Sequence, residues 1–275
     1  METVYKACTI AGAAARGGAG IQADLKTFQE LGVYGFTAIT AINATNPKTE
    51  KSLFIQSVEA IEAQLVAINE QDDLDALKTG MLFSKEIIEF VADWLPTASV
   101  KHIVVDPVMF GKYGSSLLAE DAMEALKTEL IPQASVITPN MPEASYLLDG
   151  KEIHTLDDLK DAARDLIHLG PKYVLVKGGH LEGPAIDILY DGNKMFQLEA
   201  PRIDTIHTNG AGCSYSAAIT AELAKGRSIE EAVFIAKKFV TAGIRRFIPF
   251  ELAPGMIDHR AYKVYGEDGV TMIEV

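Results

Sequence analysis

The sequence predicts an α/β fold, a three-layer α/β/α sandwich built on a mainly parallel central sheet. Three observations predict it. Apolar, β-branched runs alternate with helical stretches almost throughout. Nearly every strand run ends in a glycine or polar cluster that carries the chemistry-bearing side chains, as in ligand sites of open α/β sheets. No 20 to 50 residue repeat, linker or low-complexity segment divides the chain, so one domain over residues 1–275 is expected. With 48% hydrophobic and 23% charged residues the chain has the composition of a packed globular protein, which excludes disorder. A net charge of −13 argues against nucleic acid as a partner, since such binders present a basic face. No run approaches the ~20 apolar residues of a spanning helix, and Met1 to Lys6 lacks a basic-then-apolar pattern, so a cytoplasmic protein with no membrane contact is expected.

Taken in order, Val4 to Ala11 reads as a buried strand containing Cys8, followed by the small-residue turn Ala13 to Gly20. A helix over Ile21 to Leu31 places Ile21, Leu25 and Phe28 at helical spacing. Tyr34 to Ile42 is β-branched and aromatic, hence a strand, and Asn43 to Glu50 a polar loop. Ser57 to Asn69 is a helix, Ala76 to Leu82 a short strand, and Ser84 to Leu95 the next helix. His102 to Met109 is an apolar run interrupted by Asp106, the pattern of a buried parallel strand that delivers an acid at its C-terminal edge. Helices follow at Ala119 to Leu130 and after Pro139, with the strand Ser135 to Thr138 between them. Leu156 to Leu169 is helical, and Tyr173 to His180 is a strand ending in a lysine-glycine turn. Ala185 to Tyr190 and Lys194 to Leu198 form a hairpin across Asp191-Gly192-Asn193. Helices at Ser214 to Ala224 and Ile229 to Arg246 complete the pattern; the tail beyond Pro254 is assigned no chemistry.

The chain is organised around Thr208-Asn209-Gly210-Ala211-Gly212-Cys213-Ser214-Tyr215-Ser216, a glycine turn running into a helix. Gly210 and Gly212 permit tight turns and close approach, and the first-turn amides of the helix favour an anion such as phosphate. Cys213 at the helix start is expected to have a lowered thiol pKa. Asn140 and Glu143, at i and i+3, share one side of a beginning helix. Only two cysteines occur, Cys8 and Cys213, too few for a disulfide framework or a cysteine-rich metal site.

Several strings resemble, in the correct order, the kinases that phosphorylate pyridoxal or hydroxymethylpyrimidine within the ribokinase-like superfamily. These are Gly17-Gly18-Ala19-Gly20-Ile21-Gln22-Ala23-Asp24-Leu25-Lys26-Thr27, Lys78-Thr79-Gly80-Met81-Leu82, the Asn140-x-x-Glu143 element and Gly210-Ala211-Gly212-Cys213. The resemblance spans residues 4 to 262. It implies ATP and Mg²⁺ as cofactors, a small hydroxymethyl heterocycle as acceptor and a homodimer. It implies that Cys213 is the base for the alcohol, with Gly210, Ala211 and Gly212 forming the catalytic turn. Asp106 and Glu143 would organise the metal. Lys112, Asn140, Lys177, Gly179, Thr208 and Asn209 would meet the nucleotide. Ala13, Ala14, Gly18, Asn43, Thr45, Met81, Val108 and Phe110 would form the acceptor wall, although Met81 reads equally as a core methionine.

The chain departs from the family pattern at Ala13 to Arg16, where an acid and hydroxyls are replaced and a cation is added, and at Thr45, Phe110-Gly111 and Asn209. Three readings follow: a kinase of pyridoxal or pyridoxine, a kinase of hydroxymethylpyrimidine and its phosphate, and a variant with an altered acceptor pocket or a nucleotide-binding paralogue without turnover. Loss of the glutamine amide at Thr45 favours the first.

Overall fold

The computed structural model describes residues 3–70, 73–111, 116–251, 253–267 and 269–275. Among the described residues ten strands form one sheet: β1 Tyr5–Ala14, β2 Val33–Asn43, β3 Leu53–Ile55, β4 Ala76–Thr79, β5 His102–Val105, β6 Val136–Ile137, β7 Tyr173–Lys177, β8 Ala185–Tyr190, β9 Met195–Ala200 and β10 Thr271–Glu274. Their order across the sheet is β10-β9-β8-β7-β6-β5-β4-β1-β2-β3. From β2 through β1 and β4 to β7 every neighbouring pair is parallel; β3 and β8 to β10 attach antiparallel at the two ends.

Side-chain alternation along the strands builds two cores. Cys8, Leu77, Val105, Ile137 and Val176 face one way, toward α2 Val58–Asn69, α3 Lys85–Trp94, α4 Glu120–Ala125, α5 Met141–Leu147 and α6 Leu156–Leu166. Ala7, Ala76, Val104, Val136 and Leu175 face the other, toward α1 Gly20–Glu30, α7 Ala211–Ala224 and α8 Ile229–Arg245. A short α9, Ala261–Tyr265, packs on α8. The expected three layers are therefore present. Cys8 is the core residue expected of it; burial pushes its thiol up to about 12.

Helix α7 is buried all round from Ser214 to Ala224, so its polar side chains need partners inside the protein. Ser214 Oγ meets His259 Nε2 at 2.9 Å, Thr220 Oγ1 donates to the Ser216 carbonyl at 2.8 Å, and Glu222 receives Arg227 at 2.7 Å. The strand order reverses between β1 and β4, which opens a crevice at the strands' C-terminal ends.

Candidate active site

Gly210 opens α7 with φ +80°, a conformation that disfavours any residue with a Cβ. A Cβ there would lie 1.7 Å from the Gly18 carbonyl oxygen, so the central turn packs backbone against backbone on the loop that precedes α1. Met256 closes the same junction: its Sδ sits 1.6 Å from where a Cβ on Gly18 would be. The sequence reading missed Met256, whose only local signal is the preceding Pro254-Gly255 turn.

Cys213 is the third residue of α7, and the first amide of α1 reaches it: Gly20 N–H donates to Sγ at 3.4 Å. Two helix N-termini thus converge on one sulfur. The expected lowering of the thiol pKa does not survive tertiary structure. Burial pushes it up to about 11, against the pull of the Lys78 ammonium and the Gly20 N–H; Asp24 and Asp106 add to the rise. Desolvation outweighs the dipoles in the unliganded protein.

Beyond the turn, Asp106 at the end of β5 is 3% exposed and held by three donors. Thr138 Oγ1 and Lys177 Nζ reach Oδ1 at 3.0 and 3.3 Å, and Ser216 Oγ reaches Oδ2 at 3.0 Å. Ser216 lies one turn beyond Cys213, inside the stretch that organises the sequence, and its role toward Asp106 was not foreseen. Lys177 leaves β7 toward the turn, its Nζ 3.6 Å from where a Cβ on Gly212 would be. Burial works against its charge, but the Asp106 and Glu143 carboxylates overcome that and hold its pKa above the ordinary lysine value.

Asn140 and Glu143 make a reciprocal cap on α5: Asn140 N–H donates to Glu143 Oε2 at 2.8 Å and Glu143 N–H to Asn140 Oδ1 at 2.9 Å. Glu143 is 3% exposed, and burial pushes its carboxyl up to about 7. Asp106, Glu143 and Lys177 therefore form a compact buried charge cluster beside the glycine turn.

A cavity of about 750 Å³ joins these groups. Of the residues expected there it is lined by Ala14, Gly18, Asn43, Thr45, Asp106, Val108, Phe110, Asn140, Glu143, Lys177, Thr208, Asn209, Gly210, Ala211, Gly212 and Cys213, together with Arg16 and Met256. A second cavity of about 440 Å³ continues past Lys177 and Gly212 to Gly179, Lys237, Val240, Thr241 and Ile244. His180, which reads as a polar loop residue, is exposed and borders both. Two of the residues expected in the acceptor wall do not line this cavity. Ala13 alternates away from the cavity, buried and bridged to Gly20, while Met81 packs over Gly12 beneath the loop. Lys112 lies outside the described residues.

On the outer wall Arg16 reaches the Thr45 carbonyl at 3.4 Å, and the Asn43 side-chain carbonyl accepts both the Thr45 hydroxyl, at 2.6 Å, and its N–H, at 3.1 Å. The wall thus spends its amide oxygen internally and keeps N–H donors for a ligand. Among the described residues no cluster of three or more metal-ligating side chains occurs, and no helix is long and apolar enough to cross a membrane.

Residues 15–258 match the family model described as phosphomethylpyrimidine kinase. Pyridoxine kinase of Bacillus subtilis is 44% identical over 95% of this chain and 98% of its own. The hydroxymethylpyrimidine/phosphomethylpyrimidine kinase of the same organism is 43% identical over 95% and 97%. The solved pyridoxal kinase of Staphylococcus aureus, in complex with AMP-PCP and pyridoxal, superposes with a TM-score of 0.92 at 36% identity over the full length of both chains. On the family match, these identities and the full-length superposition, the chain belongs to the phosphomethylpyrimidine kinase family, a phosphotransferase of ribokinase-like fold.

Proposed function

We propose that this chain, as one domain over residues 1–275, transfers the γ-phosphoryl group of ATP to the hydroxymethyl group of pyridoxal or pyridoxine. The observation that carries the choice of acceptor is the wall at Asn43, Thr45 and Arg16. With the Asn43 carbonyl spent on Thr45, what faces a ligand is rich in N–H donors and offers one short hydroxyl oxygen as side-chain acceptor. Pyridoxal presents oxygens to such a wall, whereas the aminopyrimidine presents an amino group that needs an acceptor. An unpaired amino edge costs roughly 1–3 kcal/mol, so kcat/KM for pyridoxal or pyridoxine is expected to exceed that for hydroxymethylpyrimidine roughly tenfold. A competition assay with ADP release as readout tests this. Preference for the pyrimidine, which the 43% identical relative's name favours, would reverse the assignment. Turnover of neither acceptor would point to a third acceptor or to the nucleotide-binding paralogue.

The second cavity, past Lys177 and Gly212, is the supporting feature for the nucleotide, and the acceptor occupies the cavity lined by Met256, Phe110 and Val108. Lys177 and the first-turn amides of α7 stabilise charge on the phosphate oxygens, and Cys213 takes the proton of the acceptor hydroxyl. With its thiol raised to about 11, the thiolate fraction grows with pH, and kcat/KM is expected to rise along an alkaline limb set by Cys213.

Asp106 and Glu143 fit Mg²⁺ held through water: both carboxylates already accept protein donors, and Mg²⁺ keeps several of its waters. The ion, when bound, neutralises charge between donor phosphates. Glu143→Gln keeps an oxygen for the Asn140 N–H and so preserves the cap while removing the charge. It is expected to lower the rate at limiting Mg²⁺ about 10–100-fold with little change in acceptor KM. An unchanged Mg²⁺ titration would remove Glu143 from this role. A cytoplasmic homodimer completes the proposal; in its support, the sheet ends at β3 with Phe54 and Ile55 exposed.

A further inference from the structure

Among the elements that hold Cys213 lies a buried ion pair that the phosphate and acceptor contacts leave unused. Lys78 on β4 is 1% exposed, and Asp24 on α1 is fully buried. Lys78 Nζ donates to Asp24 Oδ1 at 2.8 Å, and Thr9 Oγ1 donates to Asp24 Oδ2 at 2.7 Å. Thr9 and Lys78 are register partners on β1 and β4, so the carboxylate bridges two neighbouring strands. Stability alone gives a poor account of the pair, because well-packed apolar side chains of similar volume often serve as well or better.

Its location gives a better one. Asp24 lies one helical turn from Gly20 on the same side of α1, and Gly20 supplies the N–H that reaches Sγ. Helices α1 and α7 pack on each other, and α7 packs on β4, so the ammonium is enclosed by the elements that hold the thiol. Nζ lies 3.9 Å from where a Cβ on Gly80 would be, at the end of β4 nearest the crevice. An ammonium has three N–H donors, and Asp24 takes one. The charged groups whose fields reach the sulfur are those of Lys78 on β4, Asp24 on α1, Asp106 after β5 and Lys177 on β7. Lys177 is already held by Asp106 and turned toward the phosphate turn.

We infer that Lys78, seated on Asp24, is a positioning residue that stabilises negative charge at Cys213 Sγ, an inference resting on Cys213 as the base. In the transfer the hydroxyl proton passes to sulfur, the O–H electron pair forms the new bond to the γ-phosphorus, and the bond to the leaving ADP oxygen breaks. Lys78 keeps its proton throughout. Its charge favours the thiolate before transfer and does not enter the product.

The test is the pH dependence of alkylation by iodoacetamide, read by mass on the peptide that contains Cys213. Cys8 is fully buried and serves as the unreactive internal reference. Lys78→Met is expected to raise the apparent pKa of Cys213 by about one unit or more, a tenfold slower alkylation below both values. Asp24→Asn removes the opposing carboxylate and is expected to lower it. A purely structural pair would loosen the fold in both variants without moving the thiol in opposite directions. If neither variant moves the alkylation pKa, or both move it the same way, the inference is overturned. Should Lys78→Met fail to fold, the sign in Asp24→Asn decides alone. The kcat/KM profile is measured beside it. Alkylation shifts that leave that profile unmoved would support the ion pair's effect on the thiol while rejecting Cys213 as the base.

Discussion

Replacing Cys213 with alanine is expected to lower kcat at least ~10²-fold, the ordinary contribution of a positioned general base, while nucleotide affinity stays within a few fold. The separation follows from the geometry. Sγ receives the Gly20 N–H at the junction of two helix starts, whereas Lys177, held by Asp106, and Gly212 line the second cavity, which Cys213 does not. Steady-state kinetics with pyridoxal and an equilibrium titration with a non-hydrolysable ATP analogue measure the two quantities. Wild-type turnover in Cys213→Ala would sink the assignment, and an equal loss of nucleotide affinity would mean that the sulfur shapes the turn rather than serving as base.

The second large effect is expected from Gly210→Ala, a substitution of one methyl group. At φ +80° the added Cβ is strained by itself, and it would sit 1.7 Å from the Gly18 carbonyl, which is backbone and cannot swing aside. The central turn must therefore separate from the Gly17–Gly20 loop. That displaces the Gly20 N–H from Sγ and the first-turn amides of α7 from their anion. Loss of one such preorganised donor costs about 10²–10³-fold in kcat, and here several move together. The strain should also lower stability by ~1–3 kcal/mol, read as a fall in Tm. Gly226, also at positive φ, has nothing within 4 Å of its Cβ position and is the matched control. Alanine at Gly226 should cost stability but not turnover; comparable activity losses in the two variants would remove the special role of the junction.

Much of the fold was legible because the parallel strands are buried on both faces and announce themselves as apolar runs, and because Ser57, Ser84 and Ser228 cap their helices as their side chains permit. The elements that escaped are those with no room for a period. Strand β3 has three residues, β10 is an exposed edge, and the helix after Ala119 continues from Ala125 into a π turn over Leu126–Leu130 that periodicity alone does not distinguish. In the site, Asp106, Lys177 and the Asn140–Glu143 element were readable because each sits at or just past the end of a strand, and the glycine turn because its glycines run directly into a helix. Met256 and Lys237 were not, since their membership is decided by packing between segments distant in sequence. Ala13 and Ala14 show the limit of a motif reading: it names the string, while strand alternation decides which member faces the ligand. The Cys213 thiol shows the limit of a local electrostatic reading, because the helix start is visible in sequence and the depth of burial is not.

The interlock of Gly18, Gly210 and Met256 has a meaning for how the molecule comes to exist. The contact from Gly20 to Cys213 spans 193 residues, and Met256 arrives later still in synthesis. A chain leaving the ribosome can pair β1 with β2 and β4 long before α7 has been made, but the anion turn has no floor until its partner loop is reached from the far side. Closing so long a segment is slow, and its entropy is offset only when α7 docks between the sheet and α1. Competence to move a phosphoryl group therefore waits for the segment that carries α7 and Met256, and a chain that has built only the N-terminal part of its sheet is catalytically silent.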